Sequence, residues 1–330
     1  MIILISAGAV MSTTLLMPEN FNITYTVLGG APQETCEDAL PITIILLPRG
    51  PRPLQQIVLE TVRKAGFYHA ILVVQEEHAG GLERIIAQNP GVKIIVCKDA
   101  VLPGTMVNIA LYEACTRYGL VMWNDMQFET PGLSIRFFEK LEETNACCIV
   151  PHIFDVHGQS VPSLKNPVRQ KKHFRIVPLT SEDAGIEKSL YPHDYCGLYN
   201  RDQFLACGGF DRTFTHDYYQ LADFGMRVWL WGHTIEFNKT IRMKYTLDME
   251  PENTSITHDY YRYWARNVAP HYVLDHAELQ NRYIIPLLVR SRLGLGNAIR
   301  LFMDAKQWVD RYQFHYKMDA HQLVDVWEPI

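Results

Sequence analysis

At 330 residues, the chain is long enough to bury a full hydrophobic core, and its length predicts about two domains or one large α/β unit. Its content of 48% apolar and 20% charged residues is typical of globular proteins. The net charge of −5 argues against bulk attraction to nucleic acid or anionic lipid, although it leaves room for a local basic patch. We therefore expect no nucleic-acid partner.

The cysteines and the first residues bear on localisation. Seven cysteines are scattered without a CxxC pair, which predicts reduced core thiols rather than a disulfide framework or a zinc site. The opening MIILISAGAV lacks basic residues and is too short to span a bilayer, so it predicts a strand at Ile2–Ser6. We expect a cytoplasmic protein that associates at most peripherally with the inner face of a membrane.

After a weakly patterned leader, residues 1–39, strands and helices alternate. Apolar β-branched runs predict strands, and an apolar period of 3.6 residues predicts helices. In chain order these are a strand at Ile42–Leu47, a helix at Leu54–Ala65, a strand at Phe67–Val74, a helix at Leu82–Gln88, a strand at Val92–Cys97, a helix from Gly104 through Arg117 and a strand at Leu120–Trp123. Strands that are apolar on both faces and alternate with helices predict an α/β fold with a mostly parallel central sheet flanked by helices.

The second half is less regular. Residues 152–194 have few periodic apolar positions and predict a long excursion or flexible loop. A strand at Tyr195–Tyr199, a short polar-capped segment at Arg201–Cys207, a turn at Gly208–Gly209 and a helix carrying Asp223 and Arg227 follow. Residues 257–330 predict a largely helical C-terminal extension with an amphipathic stretch at Ala298–Tyr312.

The stretch from Tyr195 to Gly232 resembles the acceptor-side segment of family 2 glycosyltransferases, and the order of motifs matches over roughly residues 41–250. The matching residues are Gly208, Gly209, Phe210, Asp211, Asp223, Arg227 and Gly232, whereas Ala222 replaces the first member of an acidic pair. The resemblance implies a GT-A fold and inverting transfer of a sugar from a nucleotide-diphosphate donor to an acceptor hydroxyl. It also implies a nucleotide-sugar-binding half at 40–150, an acceptor-binding half at 151–250 and a helical extension at 251–330.

Ligands of parallel sheets bind beyond the carboxyl ends of the strands, so the loops at Pro48–Pro53, Gln75–Glu77 and Asn124–Glu129 should line one crevice. The resemblance places Asp125 at a divalent cation, Mn²⁺ or Mg²⁺, that holds the donor diphosphate. His258 is the candidate for an additional ligand. Met126 and Gln127 stand where a second acid is expected, so the metal site is incomplete by sequence, and an ordinary Asn-Asp turn is the alternative.

The resemblance also implies donor contacts from seven residues at these strand ends. An arginine can pair with phosphate oxygens, and an amide can pair with a nucleotide base. The alternatives are a surface arginine, a solvated acidic loop and an asparagine that satisfies a helix neighbour. The seven candidates are Pro48, Arg49, Gln75, Glu76, Gly104, Asn108 and Asn124.

Asp223 is the candidate general base, which takes the proton of the acceptor hydroxyl. Arg227 lies four residues later, so it could orient the base or simply form a helical ion pair. Asp211 is the alternative carboxylate, unless it caps its own turn. The acceptor is expected to be a glycan, a lipid-linked molecule or another hydroxyl compound.

Two other functions are compatible with the sequence. A nucleotidyltransferase would need a glycine-rich basic loop near the first strand, and Pro48–Pro53 contains one glycine. A non-catalytic protein that binds a nucleotide sugar or a glycan is favoured by Ala222 and by the missing acid beside Asp125.

Overall fold

The computed structural model describes residues 23–30, 40–50, 67–128, 135–170, 173–181, 187–291 and 293–327. The predicted strand at Ile2–Ser6 and the predicted helix at Leu54–Ala65 lie outside these residues. None of the described helices is long and apolar enough to cross a membrane.

A sheet of nine strands forms the centre of the described fold, in the order β1-β4-β3-β2-β5-β10-β7-β11-β6. Two further hairpins, β8–β9 and β12–β13, stand apart from it. The strands are β1 Tyr25–Gly29, β2 Leu40–Leu47, β3 Phe67–Gln75, β4 Val92–Cys97, β5 Tyr118–Trp123, β6 Met126–Phe128, β7 Cys148–Phe154, β8 Leu164–Gln170, β9 His173–Leu179, β10 Gly197–Asn200, β11 Ile235–Tyr245, β12 His271–Val273 and β13 His276–Glu278.

Helices flank the sheet and form most of the C-terminal part. They are α1 Leu82–Gln88, α2 Pro103–Glu113, α3 Ile135–Thr144, α4 Arg201–Ala206, α5 Asp217–Leu230, α6 His258–Tyr263, α7 Ile284–Arg290, α8 Leu295–Tyr312 and α9 Ala320–Trp327. Helix α6 continues into a π-helical turn at Trp264–Val268. The expected helical C-terminal extension is therefore confirmed, with the β12–β13 ribbon inside it.

Strands β4, β3, β2 and β5 are parallel neighbours, as predicted. β2 and β5 are almost wholly buried, which accounts for their continuous apolar sequences. β1, β10 and β6 pair antiparallel with their neighbours, whereas β11 runs parallel to β7. The carboxyl ends of β2, β3, β4 and β5 consequently lie along one edge.

Three local predictions were wrong. The helix predicted through Arg117 ends at Glu113, because Ala114 has an extended backbone with ψ 137°. The strand predicted from Tyr195 begins at Gly197, because Asp194 and Tyr195 have left-handed φ values of 51° and 62°. The expected loop at 152–194 contains the antiparallel hairpin β8–β9, in which each strand includes a proline and no side chain of β9 is buried.

The division between a nucleotide-binding half at 40–150 and an acceptor-binding half at 151–250 stays a prediction. Its boundary falls inside β7, and β10 and β11 from the second half complete the same sheet.

Candidate functional site

An arginine at the end of β2 joins two carboxylates from distant parts of the chain. Arg49 Nη1 lies 3.0 Å from Oδ2 of Asp125, and its Nη2 lies 2.6 Å from Oδ2 of Asp194. We call these three residues the Arg49 clamp. Burial alone would lower the pKa of Arg49, but the two carboxylates raise it above its usual value. The clamp therefore holds a permanent positive charge between two acids.

The surroundings of Arg49 fix its orientation. Its guanidinium lies 4.0 Å from the centre of the Trp123 ring, a cation–π contact. Asn124 accepts a hydrogen bond from the Arg49 backbone N at 2.8 Å and donates one to the Arg49 carbonyl at 3.3 Å. Asn124 thus holds the backbone of Arg49, a structural role beside the donor contact expected of it.

Asp194 reaches the clamp through an unusual backbone conformation. Its left-handed φ is uncommon for a residue other than glycine and is typical of functional turns. The Trp123 indole donates to the Asp194 carbonyl at 2.8 Å, and the Tyr245 hydroxyl donates to Asp194 Oδ2 at 2.7 Å. Burial raises the pKa of Asp194, an effect that Arg49 opposes. Arg49 and Tyr245 therefore hold the Asp194 carboxylate, and Trp123 holds its backbone.

A cavity of about 410 Å³ opens beside the Arg49 clamp. The carboxylate of Asp217, at the start of α5, lies at its wall and accepts a hydrogen bond from the Tyr195 hydroxyl at 3.1 Å. Burial raises the pKa of Asp217, while Tyr195 and His216 oppose that rise. A carboxylate with a raised pKa beside open space is suited to accept a proton. We call this space the clamp cavity.

Two histidines of the clamp cavity have ring nitrogens without partners in the described part of the chain. They are Nδ1 of His193 and both ring nitrogens of His216. Burial, together with Lys165 and Arg49, lowers the pKa of His193 to about 3, so this imidazole is neutral near pH 7. Buried polar atoms are normally hydrogen-bonded, so these nitrogens are available to a ligand.

A second cavity, of about 510 Å³, lies at the ends of β3 and β4. Gln75 is part of its wall, and its side chain donates to the Val101 carbonyl at 3.1 Å. Thr215 lines both cavities, so they are neighbours. Oδ2 of Asp259 accepts hydrogen bonds from the backbone N of Thr215 at 2.6 Å and from the Thr215 hydroxyl at 3.0 Å, and so holds Thr215 in place. We call this second space the Gln75 cavity.

Asp223 and Arg227 form a fully buried pair, and neither lines either cavity. Oδ2 of Asp223 accepts from Arg227 Nε at 2.8 Å, and Oδ1 accepts from Asn267 Nδ2 at 2.8 Å. Arg227 also donates to the carbonyls of Cys207 and Gly209. The pair therefore ties α5 to the turn at 207–209, and the general-base role of Asp223 stays a prediction.

Asp211, the alternative carboxylate, is also internally paired. Its Oδ2 lies 2.6 Å from Arg266 Nη1, and its Oδ1 accepts from the Thr213 backbone N at 2.7 Å. Burial alone would raise its pKa, but Arg266 and Thr213 hold the pKa of Asp211 below its usual value. This geometry matches the turn-capping alternative.

Gly104 and Asn108 lie where α2 packs against α5 and the Phe210 backbone. A Cβ at Gly104 would lie 2.3 Å from Gln220 Oε1 and 2.8 Å from Phe210 Cβ. Asn108 exchanges hydrogen bonds of 2.7 and 2.8 Å with the backbone of Phe210. Packing explains why a glycine occupies position 104 and an asparagine position 108. The contacts of both residues with the sugar donor stay predictions.

The remaining candidates are more peripheral. Glu76 is exposed and pairs with Lys98 at 2.8 Å, Pro48 is half-buried beside Arg49, and His258 is exposed at the start of α6. Among the described residues, no three His, Cys, Asp or Glu side chains are grouped to hold a metal ion. Arg49 already stands between Asp125 and Asp194, so these side chains do not fit a cation site of their own.

Several site residues were missed from the sequence, namely Trp123, His193, Asp194, Asp217 and Tyr245. A signal existed for the two acids, because His193-Asp194 and His216-Asp217 repeat one dipeptide around the motif-rich stretch. The left-handed turn that directs Asp194 towards Arg49 has no comparable signal in the sequence.

No protein-family model matches this sequence, and no curated protein matches it. Among solved structures, the chain is similar to GalNAc-T7 with UDP, GalNAc and Mn²⁺, with a TM-score of 0.52 and 14% identity over 70% of this chain and 49% of that chain. It is also similar to TarS 1-349 of S. aureus in complex with UDP-GlcNAc, with a TM-score of 0.47 and 12% identity over 80% of this chain and 71% of that chain. The chain thus spans about half the length of GalNAc-T7.

These similarities concern architecture. Together with the sheet topology, the GalNAc-T7 match confirms the predicted fold class: the chain has a GT-A-like fold, with helices around a mixed sheet that has a parallel centre.

Proposed function

We propose that this protein transfers a sugar from a nucleotide-diphosphate donor to an acceptor hydroxyl. The observation that carries the proposal is the pair of adjoining cavities at the carboxyl ends of the parallel strands, which meet at Thr215. Ligands of such sheets bind at this edge. The Gln75 cavity presents the amide of Gln75, and the clamp cavity presents the guanidinium of Arg49 and the carboxylate of Asp217.

In this proposal the nucleotide-sugar donor occupies both cavities. The nucleotide base lies in the Gln75 cavity, where the amide can pair with the edge of a base. The diphosphate lies towards Arg49, whose charge stabilises the leaving group as negative charge develops on it. Gln75 and Arg49 thus keep the donor roles expected from the sequence. The side chains do not fit a cation site of their own, so no step is assigned to a metal.

We assign the general base to Asp217 rather than to Asp223. The acceptor oxygen attacks the anomeric carbon, the bond from that carbon to the diphosphate oxygen breaks, and Asp217 takes the hydroxyl proton. Attack opposite the leaving group gives inversion. Asp217 is preferred because it lies at the cavity wall with a raised pKa, whereas both oxygens of Asp223 are bonded inside the protein.

A second function, binding a nucleotide sugar without transfer, is favoured by one observation. Asp223, the general base that the resemblance implies, has both carboxylate oxygens bonded inside the protein. Binding without turnover in every donor and acceptor combination would favour this second function.

Thermal unfolding in the presence of UDP, GDP or dTDP tests donor binding. A nucleoside diphosphate at about 100 times its Kd should stabilise the protein by about 2.7 kcal/mol, which corresponds to a rise of roughly 5 °C in Tm. Gln75→Ala should reduce this rise, because it removes the amide assigned to the base. Glu83→Ala, at an exposed position of α1, should leave the rise unchanged. If none of the three nucleotides raises Tm, the proposed donor site is wrong.

A further inference from the structure

Helices α7 and α8 present an apolar surface to solvent. Ile285 and Val289, one turn apart on α7, are 63% and 76% exposed. Leu295, Ile299 and Met303, spaced four residues apart on α8, are 67%, 40% and 55% exposed. Since the two helices pack against each other, these five residues lie on neighbouring ridges, which we call the α7–α8 apolar ridge.

The apolar residues of the ridge are different from those with which the same helices pack against the core. Leu287 of α7 and Ala298, Leu301 and Phe302 of α8 are buried and supply the packing against the rest of the chain. Single exposed apolar residues are ordinary, but five on two adjacent helices mark a binding surface.

The charge of this region contrasts with that of the chain. Between Asn281 and Lys317 the sequence has seven lysines and arginines and two aspartates, whereas the whole chain carries −5. Arg282 precedes α7, Arg290 ends it, and Arg300 lies on α8; all three are exposed. Exposed cations beside an exposed apolar ridge are typical of helices that lie in the surface of an anionic bilayer.

We propose that the α7–α8 apolar ridge docks on an anionic lipid surface. The apolar side chains enter the boundary between headgroups and acyl chains, while Arg290 and Arg300 meet the lipid phosphates. The charge selects this partner over a second copy of the chain, because two basic surfaces of the same kind would repel each other. This inference does not depend on the proposed sugar transfer.

Co-sedimentation with lipid vesicles tests the proposal on the full chain. Wild-type protein should sediment with vesicles of equal parts phosphatidylcholine and phosphatidylglycerol, and much less with phosphatidylcholine alone. High salt should release it, because the attraction between exposed charges is screened. No sedimentation with the anionic vesicles, or equal sedimentation with both kinds, would overturn the proposal.

Two double variants separate the apolar and charged contributions. Val289→Ser with Leu295→Ser should weaken binding by at least about tenfold, because apolar area no longer leaves water. Arg290→Glu with Arg300→Glu should weaken binding to anionic vesicles by a similar factor or more. All four positions are exposed, so the variants should fold, which Tm checks.

The matched controls lie outside α7 and α8. Leu247→Ser with Ile256→Ser removes apolar residues that are 59% and 70% exposed, and Arg84→Glu with Lys239→Glu reverses two exposed charges. Both controls should sediment like the wild type. Light scattering tests the alternative, in which a second copy of the chain binds to the ridge. If the ridge variants convert a dimer to a monomer and leave vesicle binding unchanged, the ridge is an interface between copies and the proposal fails.

Discussion

At the scale of single residues, Arg49 is the centre of the site. Its guanidinium bonds to both Asp125 and Asp194 and lies against the Trp123 ring. A cation held in this way has a fixed position before any ligand arrives, which is the preorganisation that charge stabilisation requires. It also uses the carboxylate oxygens that a divalent cation would need.

Replacing Arg49 should therefore create sensitivity to Mn²⁺. In Arg49→Met two neighbouring acids lose their cation, so Tm should fall, and Mn²⁺ should restore part of the loss because it binds carboxylate oxygens. Without nucleotide, the wild type should show no such rise. Arg49→Lys keeps the charge and should respond less than Arg49→Met. An equal rise in Tm of the wild type and Arg49→Met with Mn²⁺ would contradict the role given to Arg49.

At the scale of elements, helix α5 connects the cavity to the core. Asp217 at its first turn faces the clamp cavity, whereas Asp223 and Arg227 are buried and bond to the turn at 207–209 and to Asn267. An ion pair without solvent access is costly to break, so the pair fixes the orientation of the helix. Gly225 lets the same helix approach the chain at Leu190, where an added Cβ would lie 2.2 Å from the carbonyl oxygen.

Two glycine substitutions test this packing. Alanine is favoured over glycine in a helix by about 1 kcal/mol, so Gly→Ala normally stabilises. At Gly225 the clash with the Leu190 backbone should reverse the sign and lower the free energy of unfolding. Gly296→Ala is the control, because nothing lies within 4 Å of its added Cβ in α8, and this variant should gain stability. Denaturant unfolding measures both, and a gain at Gly225 would show that the close approach to Leu190 is wrong.

At the same scale, the sequence predicted elements well where the apolar pattern is strong. Helix Leu82–Gln88 and strand Val92–Cys97 have the predicted bounds, because their periodicities are regular and their ends are marked by turn residues. The β8–β9 hairpin was missed because Pro167 and Pro178 interrupt its strands and few of its side chains are buried. The ends of α2 and β10 were misplaced because single backbone angles, rather than residue types, set them.

At the scale of the whole molecule, the site depends on contacts between residues far apart in the sequence. Arg49 and Asp125 could be predicted, since the ends of neighbouring parallel strands meet at one edge. The repeated His-Asp dipeptide marks Asp194 and Asp217, but their position at that edge could not be predicted, because a left-handed turn and the start of a helix bring them there from the second half of the chain. The GT-A-like fold accounts for the edge at which these residues meet.

Sugar transfer with Asp217 as the general base is tested most directly by measuring the release of nucleoside diphosphate. The donors are a panel of UDP-, GDP- and dTDP-sugars, and the acceptors are glycans and other hydroxyl compounds. Asp217→Asn should slow release by about 100-fold to 10,000-fold, the usual contribution of a general base, while keeping the nucleotide-dependent rise in Tm. Asp223→Asn is the paired variant, and it should lower Tm while the folded fraction still turns over. Release by Asp217→Asn at the wild-type rate, or loss of turnover confined to a stably folded Asp223→Asn, would contradict the account.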